Sequence, residues 1–186
     1  MGSIEFDTGI IGRLRISEEG NAITRIEFLP EVSGTEKVAG SEVVSGMEGI
    51  SGKEGISSAE KNDFSPVLKK AKNQLMEYLQ GEREEFTFPI RMKGTVFQED
   101  VWTTLLDIPY GETCSYRELA ERIGNPKACR AVGMANNRNH LPIVIPCHRV
   151  VGSDGRMIGY GGGIGIKKKL LSIERTRSLS KVFVRE

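Results

Sequence analysis

The chain has 186 residues, 38% hydrophobic and 27% charged, which is room for one ordinary domain or two small ones and excludes a large multidomain machine. No basic-then-apolar leader and no apolar run of membrane-spanning length is read in it, so secretion and a membrane partner are not expected; the cell interior is, as cytoplasm or a eukaryotic nucleus. The net charge of +1 conceals an asymmetry, because residues 1–90 carry 10 Lys and Arg against 16 Asp and Glu while residues 91–186 carry 16 against 9. Either the second half meets a polyanion or the two halves attract each other; charge alone favours neither.

Residues 3–29 alternate apolar and polar side chains with Gly and Asn punctuation and predict a three-stranded antiparallel meander, with EEGN as one hairpin turn. From Val32 to Asn62 the composition shifts to Gly, Ser and Glu, too poor in large apolar side chains for a core, and a mobile loop is expected. Ser65 followed by Pro66 opens a helix to about Leu79, with an apolar stripe of Val67, Leu68, Ala71, Leu75 and Leu79. Phe86 to Ile90 reads as a last strand. Residues 1–90 are thus expected to form an α/β domain of a small antiparallel sheet plus a helix, and residues 91–186 a mainly α domain.

In the second half, Thr95 and Gln98 form a capping box for a helix whose apolar positions are Phe97, Val101, Leu105 and Ile108. Ser115 and Glu118 form another, for a helix with Tyr116, Leu119, Ala120 and Ile123 on one face, stopped by Gly124. Asn125 is expected to N-cap a third helix with Pro126 at its first position, making a helix-turn-helix with the one before. Ala128, Ala131, Val132 and Ala135 form a small-residue stripe on that helix, and Gly133 leaves room for close approach. The stripe fits either burial under a neighbouring helix or a nucleic-acid-facing surface, and the basic surroundings favour the second.

Three cysteines without CxxC spacing predict neither a disulfide framework nor a thiolate metal site, and no metal or cofactor is expected. Cys114 and Cys129 read as inert thiols. Cys147 differs: an apolar, strand-like run, Ile143 to Ile145, ends at Pro146 and presents it next to His148 and Arg149. A neighbouring base or cation can raise the thiolate fraction of a cysteine above that of a free thiol. The glycine cluster at residues 161–163 matches neither GxGxxG nor a P-loop.

The run from FQEDVW through PCHRVVGSDG into YGGGIGIKKKLLSIE, with RAVG and N-x-x-P upstream of PCHRV, resembles the O6-alkylguanine-DNA alkyltransferases over the last half of the chain. The resemblance implies an N-terminal ribonuclease-H-like domain and a C-terminal winged helix-turn-helix domain. Its activity would be irreversible, stoichiometric transfer of an alkyl group from flipped-out guanine O6 in double-stranded DNA to the protein's own cysteine. Carried over residue by residue, it makes Cys147 the nucleophile, His148 the base that takes its proton through a water, Glu174 the group that orients His148, and Asn139 a brace for the turn. Tyr116 would help neutralise the departing guanine and crowd a phosphate, although a core tyrosine is its plainer reading.

Arg130 would fill the gap left by the flipped base, a surface ion pair being the alternative. Ala128, Ala131 and Gly133 would face the minor groove, Asn125 and Ser153 would hold phosphates, and Val150, Tyr160 and Gly161 would line the alkylguanine pocket with Cys147. The protein would act as a monomer. Three rivals remain: a lesion-binding relative that lacks the acceptor cysteine, a helix-turn-helix regulator, and a cysteine hydrolase. Cys147 itself opposes the first, the purposeless PCHRV the second, and the absence of a hydrolase signature the third. The basic tail after Glu174 reads as solvated.

Overall fold

The computed structural model describes residues 2–30 and 64–183, with side chains to residue 178. The segment expected to be a loop, 32–62, lies outside the described residues. Before it, β1 (Gly2–Asp7), β2 (Arg13–Glu19) and β3 (Ala22–Phe28) pair antiparallel in the order β1-β2-β3. Alternation places Ile4 and Phe6, and Leu14 and Ile16, in the core, and a register shift that leaves Thr24 unmatched on β3 brings Ile23 and Ile26 to the same face. Glu18, two residues on from Ile16, points inward by the same alternation, and Ser65 Oγ donates to its carboxylate at 2.5 Å while accepting from Leu68 N at 3.2 Å. Ser65 thereby caps α1 (Pro66–Leu79), whose inner face adds Leu68, Ala71, Leu75 and Tyr78 to the sheet's core.

Phe86 to Ile90 is not a strand. It makes only an isolated bridge from Ile90 to Ile23, because Pro89 has no N–H to give a ladder and the Thr87 N–H goes to Gln74 Oε1 at 2.8 Å instead.

The remaining elements are α2 (Val96–Leu106), β4 (Cys114–Ser115), α3 (Tyr116–Arg122), α4 (Cys129–Asn137), a 3-10 turn (Cys147–Arg149), β5 (Val150–Val151) and α5 (Gly163–Phe183). Both capping boxes close as the spacing predicts, each with its reciprocal pair of hydrogen bonds. The third helix starts later than expected: Asn125 to Lys127 form a turn, with Ala128 N donating to the Asn125 carbonyl at 2.9 Å, and α4 has no side-chain cap. The stripe on α4 divides as well. Val132 and Ala135 are buried, while Ala131 faces outward. β4 pairs parallel with β5, tying the start of α3 to the end of the Cys147 turn.

Ile143 to Ile145 is a turn, not the expected strand run, and Ile143 has φ 75°. A β-branched residue reaches that region only at a cost of about 1–3 kcal/mol, tolerated where neighbouring packing over-determines it; Leu141, Ile143 and Ile145 are each 1% exposed.

The two halves meet at several points. Ile26 N donates to the His140 carbonyl at 2.8 Å. Nor is the stretch after Glu174 simply solvated: α5 continues through it, and Arg177 binds Glu84 and the Gly81 and Glu82 carbonyls beyond α1. Among the described residues no helix is long and apolar enough to cross a membrane, and no group of His, Cys, Asp and Glu is arranged to hold a metal ion.

Candidate active site

Cys147 opens a single 3-10 turn held from two sides. Asn139 Nδ2 donates to the Ile145 carbonyl at 2.9 Å and Asn139 Oδ1 accepts from Leu141 N at 2.9 Å, closing the loop that leads to the cysteine. From α4, Asn136 Nδ2 donates to the Cys147 carbonyl at 3.3 Å.

The next residue, His148, is 0% exposed, as is Glu174 from α5. His148 Nε2 lies 2.7 Å from Glu174 Oε1. An ionised carboxylate only accepts, so Nε2 carries the hydrogen and Nδ1 is left as the acceptor of a neutral ring. Nδ1 is buried and has no partner among the described residues. Glu174 is held further by the Tyr78 hydroxyl, by Arg149 Nε at 3.1 Å from each oxygen, and by Gly111 N at 2.9 Å from Oε2.

These contacts set the charges. Burial alone would raise the Glu174 carboxyl, but His148, Arg149 and Tyr78 overturn that and hold it well below the ordinary carboxylate range. Burial lowers His148 against the opposing pull of Glu174, leaving a neutral imidazole. Cys147 departs from the expected activation: burial pushes its thiol up to about 11, and the Asn139 and Lys167 contributions only moderate this. The Cys147 thiol therefore rests protonated in a buried site, and a base would have to take its proton for it to react.

Cys147 opens into a cavity of about 260 Å³ lined also by Asn136, Asn139, Tyr160, Gly161 and Phe28 of β3. Larger clefts, about 660 Å³ beside Tyr110 and about 750 Å³ between the β1–β2 loop and α5, do not include the thiol in their walls, so the smaller cavity is the one that opens onto the thiol. Phe28 meets Tyr160 ring to ring at 5.7 Å, and its ring fills the space that a Cβ at Gly162 would need, 2.8 Å away. Val150, expected in this lining, is not part of it; its carbonyl accepts from Lys167 Nζ at 2.6 Å, and the same ammonium holds Ile158 O at 3.1 Å.

Tyr116, at the start of α3, is only partly buried, and its hydroxyl donates to the Ile158 carbonyl at 3.0 Å. Burial raises its pKa, so it remains a proton donor. Its ring lies 3.7 Å from where a Cβ on Gly133 would sit, which identifies the neighbour that approaches that glycine. On the outer side of the helix-turn-helix, Arg130 and Ala131 are exposed and Ala128 is half-buried. No carboxylate pairs with Arg130 among the described residues. Asn125 is exposed in the inter-helix turn, and Ser153 is exposed after β5.

Sequence reasoning missed Tyr78, Asn136, Lys167 and Phe28. Lys167 was within reach: with Leu170, Leu171 and Glu174 it follows the spacing of one helical face, and all four are buried. Tyr78 and Phe28 come from the other half of the chain and carry no local signal.

Residues 6–92 match the family model described as 6-O-methylguanine DNA methyltransferase, ribonuclease-like domain, and residues 96–176 the one described as 6-O-methylguanine DNA methyltransferase, DNA binding domain. The chain is 54% identical over 112 residues to the constitutive methylated-DNA–protein-cysteine methyltransferase of Bacillus subtilis, an alignment covering 60% of this chain and 68% of that protein. It is 52% identical over 108 residues to the methylated-DNA–protein-cysteine methyltransferase of Mycobacterium tuberculosis strain H37Rv, covering 58% and 66%. A crystal structure of Mycobacterium tuberculosis OGT in complex with DNA is similar at a TM-score of 0.72 and 36% identity, over 94% of this chain and 93% of that one.

Proposed function

Because the chain belongs to the 6-O-methylguanine DNA methyltransferase family, we propose that Cys147 is the residue onto which it transfers the alkyl group of O6-alkylguanine in DNA. The activity is that of a methylated-DNA–protein-cysteine methyltransferase, a DNA-repair protein consumed by its own single turnover. One observation carries the assignment of the acceptor: a buried thiol stands beside a neutral His148 whose Nε2 is committed to Glu174 and whose Nδ1 has no partner.

In the reaction, the Cys147 proton passes through a water to His148 Nδ1, and the imidazolium is stabilised by the adjoining carboxylate. The sulfur forms a bond to the alkyl carbon as the carbon–O6 bond breaks. Guanine leaves with that electron pair, and the Tyr116 O–H supplies a hydrogen bond or proton to neutralise it. The resulting thioether has no route back to the thiol.

DNA binding uses the helix-turn-helix face, with Ala128, Ala131 and Gly133 toward the minor groove, where short side chains permit close approach. Arg130 occupies the space of the extruded nucleotide and offsets part of the few kcal/mol that flipping costs. Asn125 and Ser153 contact phosphates, and the protein works as a monomer in the compartment that holds the DNA.

The test is intact and peptide mass spectrometry after incubation with duplex DNA containing one O6-methylguanine, alongside Cys147→Ser. One methyl on the Cys147 peptide, matched by loss from the DNA and absent in the variant, is expected. Binding of the DNA with no methylated peptide would overturn the assignment.

A further inference from the structure

Phe28 belongs to the N-terminal half, yet it stands in the wall of the cavity that opens onto Cys147. α4 supplies Asn136 and Asn137 to that cavity, and the end of β3 supplies Arg25 to Phe28. Arg25 and Glu27 pair with each other at 3.5 Å, and Ile26 is 2% exposed in the sheet's core. The half-buried Phe28 ring is therefore the main apolar group that β3 presents to the lining. Two contacts fix the ring where it stands. It meets the Tyr160 ring at 5.7 Å with 60° between the planes, and its carbons lie 2.8 to 3.0 Å from where a Cβ on Gly162 would sit. The loop after Tyr160 can approach the ring this closely only because residue 162 has no side chain. Phe28 has no room to retreat toward that loop when the cavity is filled.

The alkyl group needs space in this cavity. In-line displacement sets the reacting carbon between the Cys147 sulfur and O6, so whatever that carbon carries beyond hydrogen projects sideways into the cavity. A base delivered by the helix-turn-helix arrives past α4, and the part of the lining built by β3 is what remains for such a substituent. A methyl group projects nothing. A benzyl group projects a phenyl ring, and the side chain of Phe28 is itself a benzyl group of the same size.

Resting on Cys147 as the acceptor, we infer that Phe28 slows the transfer of O6-alkyl groups larger than methyl, so that one ring from the N-terminal half sets the size of lesion the protein prefers. A filled site opposes a larger group by overpacking, because neighbours held by their own contacts do not give way. Removing the ring vacates the space that a benzyl substituent requires.

The experiment compares single-turnover rates on duplexes that carry either O6-methylguanine or O6-benzylguanine in the same sequence, with the wild-type chain and with Phe28→Ala. The benzyl-to-methyl rate ratio should rise about tenfold in the variant, the scale of relieving one overpacked group. Comparing that ratio between the two proteins cancels the intrinsic reactivity of the benzylic carbon, and using two lesions in each protein cancels general damage to the site. Phe28→Leu, which should shift the ratio the same way by less, takes its place should the alanine variant not fold. An unchanged or lowered ratio, including an equal loss on both lesions, would overturn the inference and leave Phe28 as a support for Tyr160. Alkylation of Cys147 from neither duplex in the wild type would instead overturn the reading on which the inference rests.

Discussion

The Tyr78 hydroxyl, from the helix that packs on the N-terminal sheet, donates to the same Glu174 oxygen that accepts from His148 Nε2. The first half of the chain thus reaches the carboxylate that binds His148, and does so from a position with 0% exposure.

Tyr78→Phe keeps the ring and removes that donor. Glu174 retains His148, Arg149 and Gly111, so the fold should survive with a loss of about 1.5–3 kcal/mol, the scale of a hydrogen bond to a charged group. Single-turnover methyl transfer should slow about tenfold while DNA affinity is unchanged. An unaltered rate in a variant with a lowered melting temperature would confine Tyr78 to stability.

Stability should fall with acid in two stages. His148 is lowered from 6.5 by burial, and His140 shifts the same way for the same first cause. A depressed folded-state value means that their contribution is complete above pH 6.5 and drains away below it, as the unfolded chain takes up protons first. Glu174, held at about 2 against an ordinary 4.5, contributes fully above pH 4.5 and loses that contribution as the pH falls toward 2. Melting temperatures should therefore decline from about pH 6.5 and more steeply below 4.5, with His148→Gln flattening the upper stage. A melting temperature constant between pH 7.5 and 5 would contradict the histidine assignment.

Arg130→Ala should separate base flipping from chemistry. The residue is exposed on the helix-turn-helix, whereas His148 and Glu174 are buried. Transfer from O6-methylguanine in duplex DNA should fall about 10- to 100-fold, matching loss of part of the few kcal/mol that extrusion requires. Transfer from free O6-benzylguanine, which needs no flipping, should be unchanged. Equal losses on both substrates would place Arg130 in the pocket's own support.

Lys167→Met should damage both pocket and fold. The ammonium is 0% exposed and holds the carbonyls of Val150 and Ile158, which bracket the loop leading to Tyr160. Methionine keeps most of the volume but leaves those oxygens without their donor, at a cost of about 1–3 kcal/mol for an unsatisfied buried group. A lower melting temperature and slower transfer from both duplex and free-base substrates are expected; an unchanged rate on the free base would show that the loop holds its place without this lysine.

Local patterns in the chain were sufficient for the meander, the Ser65 cap and both capping boxes, because each depends on residues within one turn or one hairpin. The candidate nucleophile was equally legible, since Cys147 stands in a short stretch whose residue types have few other uses together. Other features depended on what the chain packs against. Phe86 to Ile90 has strand composition but loses its ladder to Pro89 and Gln74, Asn125 yields the start of α4 to a turn, and Ile143 is forced to φ 75° inside a buried loop. Burial reverses the expectation for Cys147, whose neighbours in sequence suggested a ready thiolate but whose surroundings in space keep it protonated. The sequence by itself determined the meander, the capped helices and the candidate nucleophile; only the tertiary structure decided the charge state of the Cys147 thiol and brought Tyr78, Phe28 and Asn136 to its surroundings, because desolvation and long-range contact are properties of packing and leave no periodic trace along the chain.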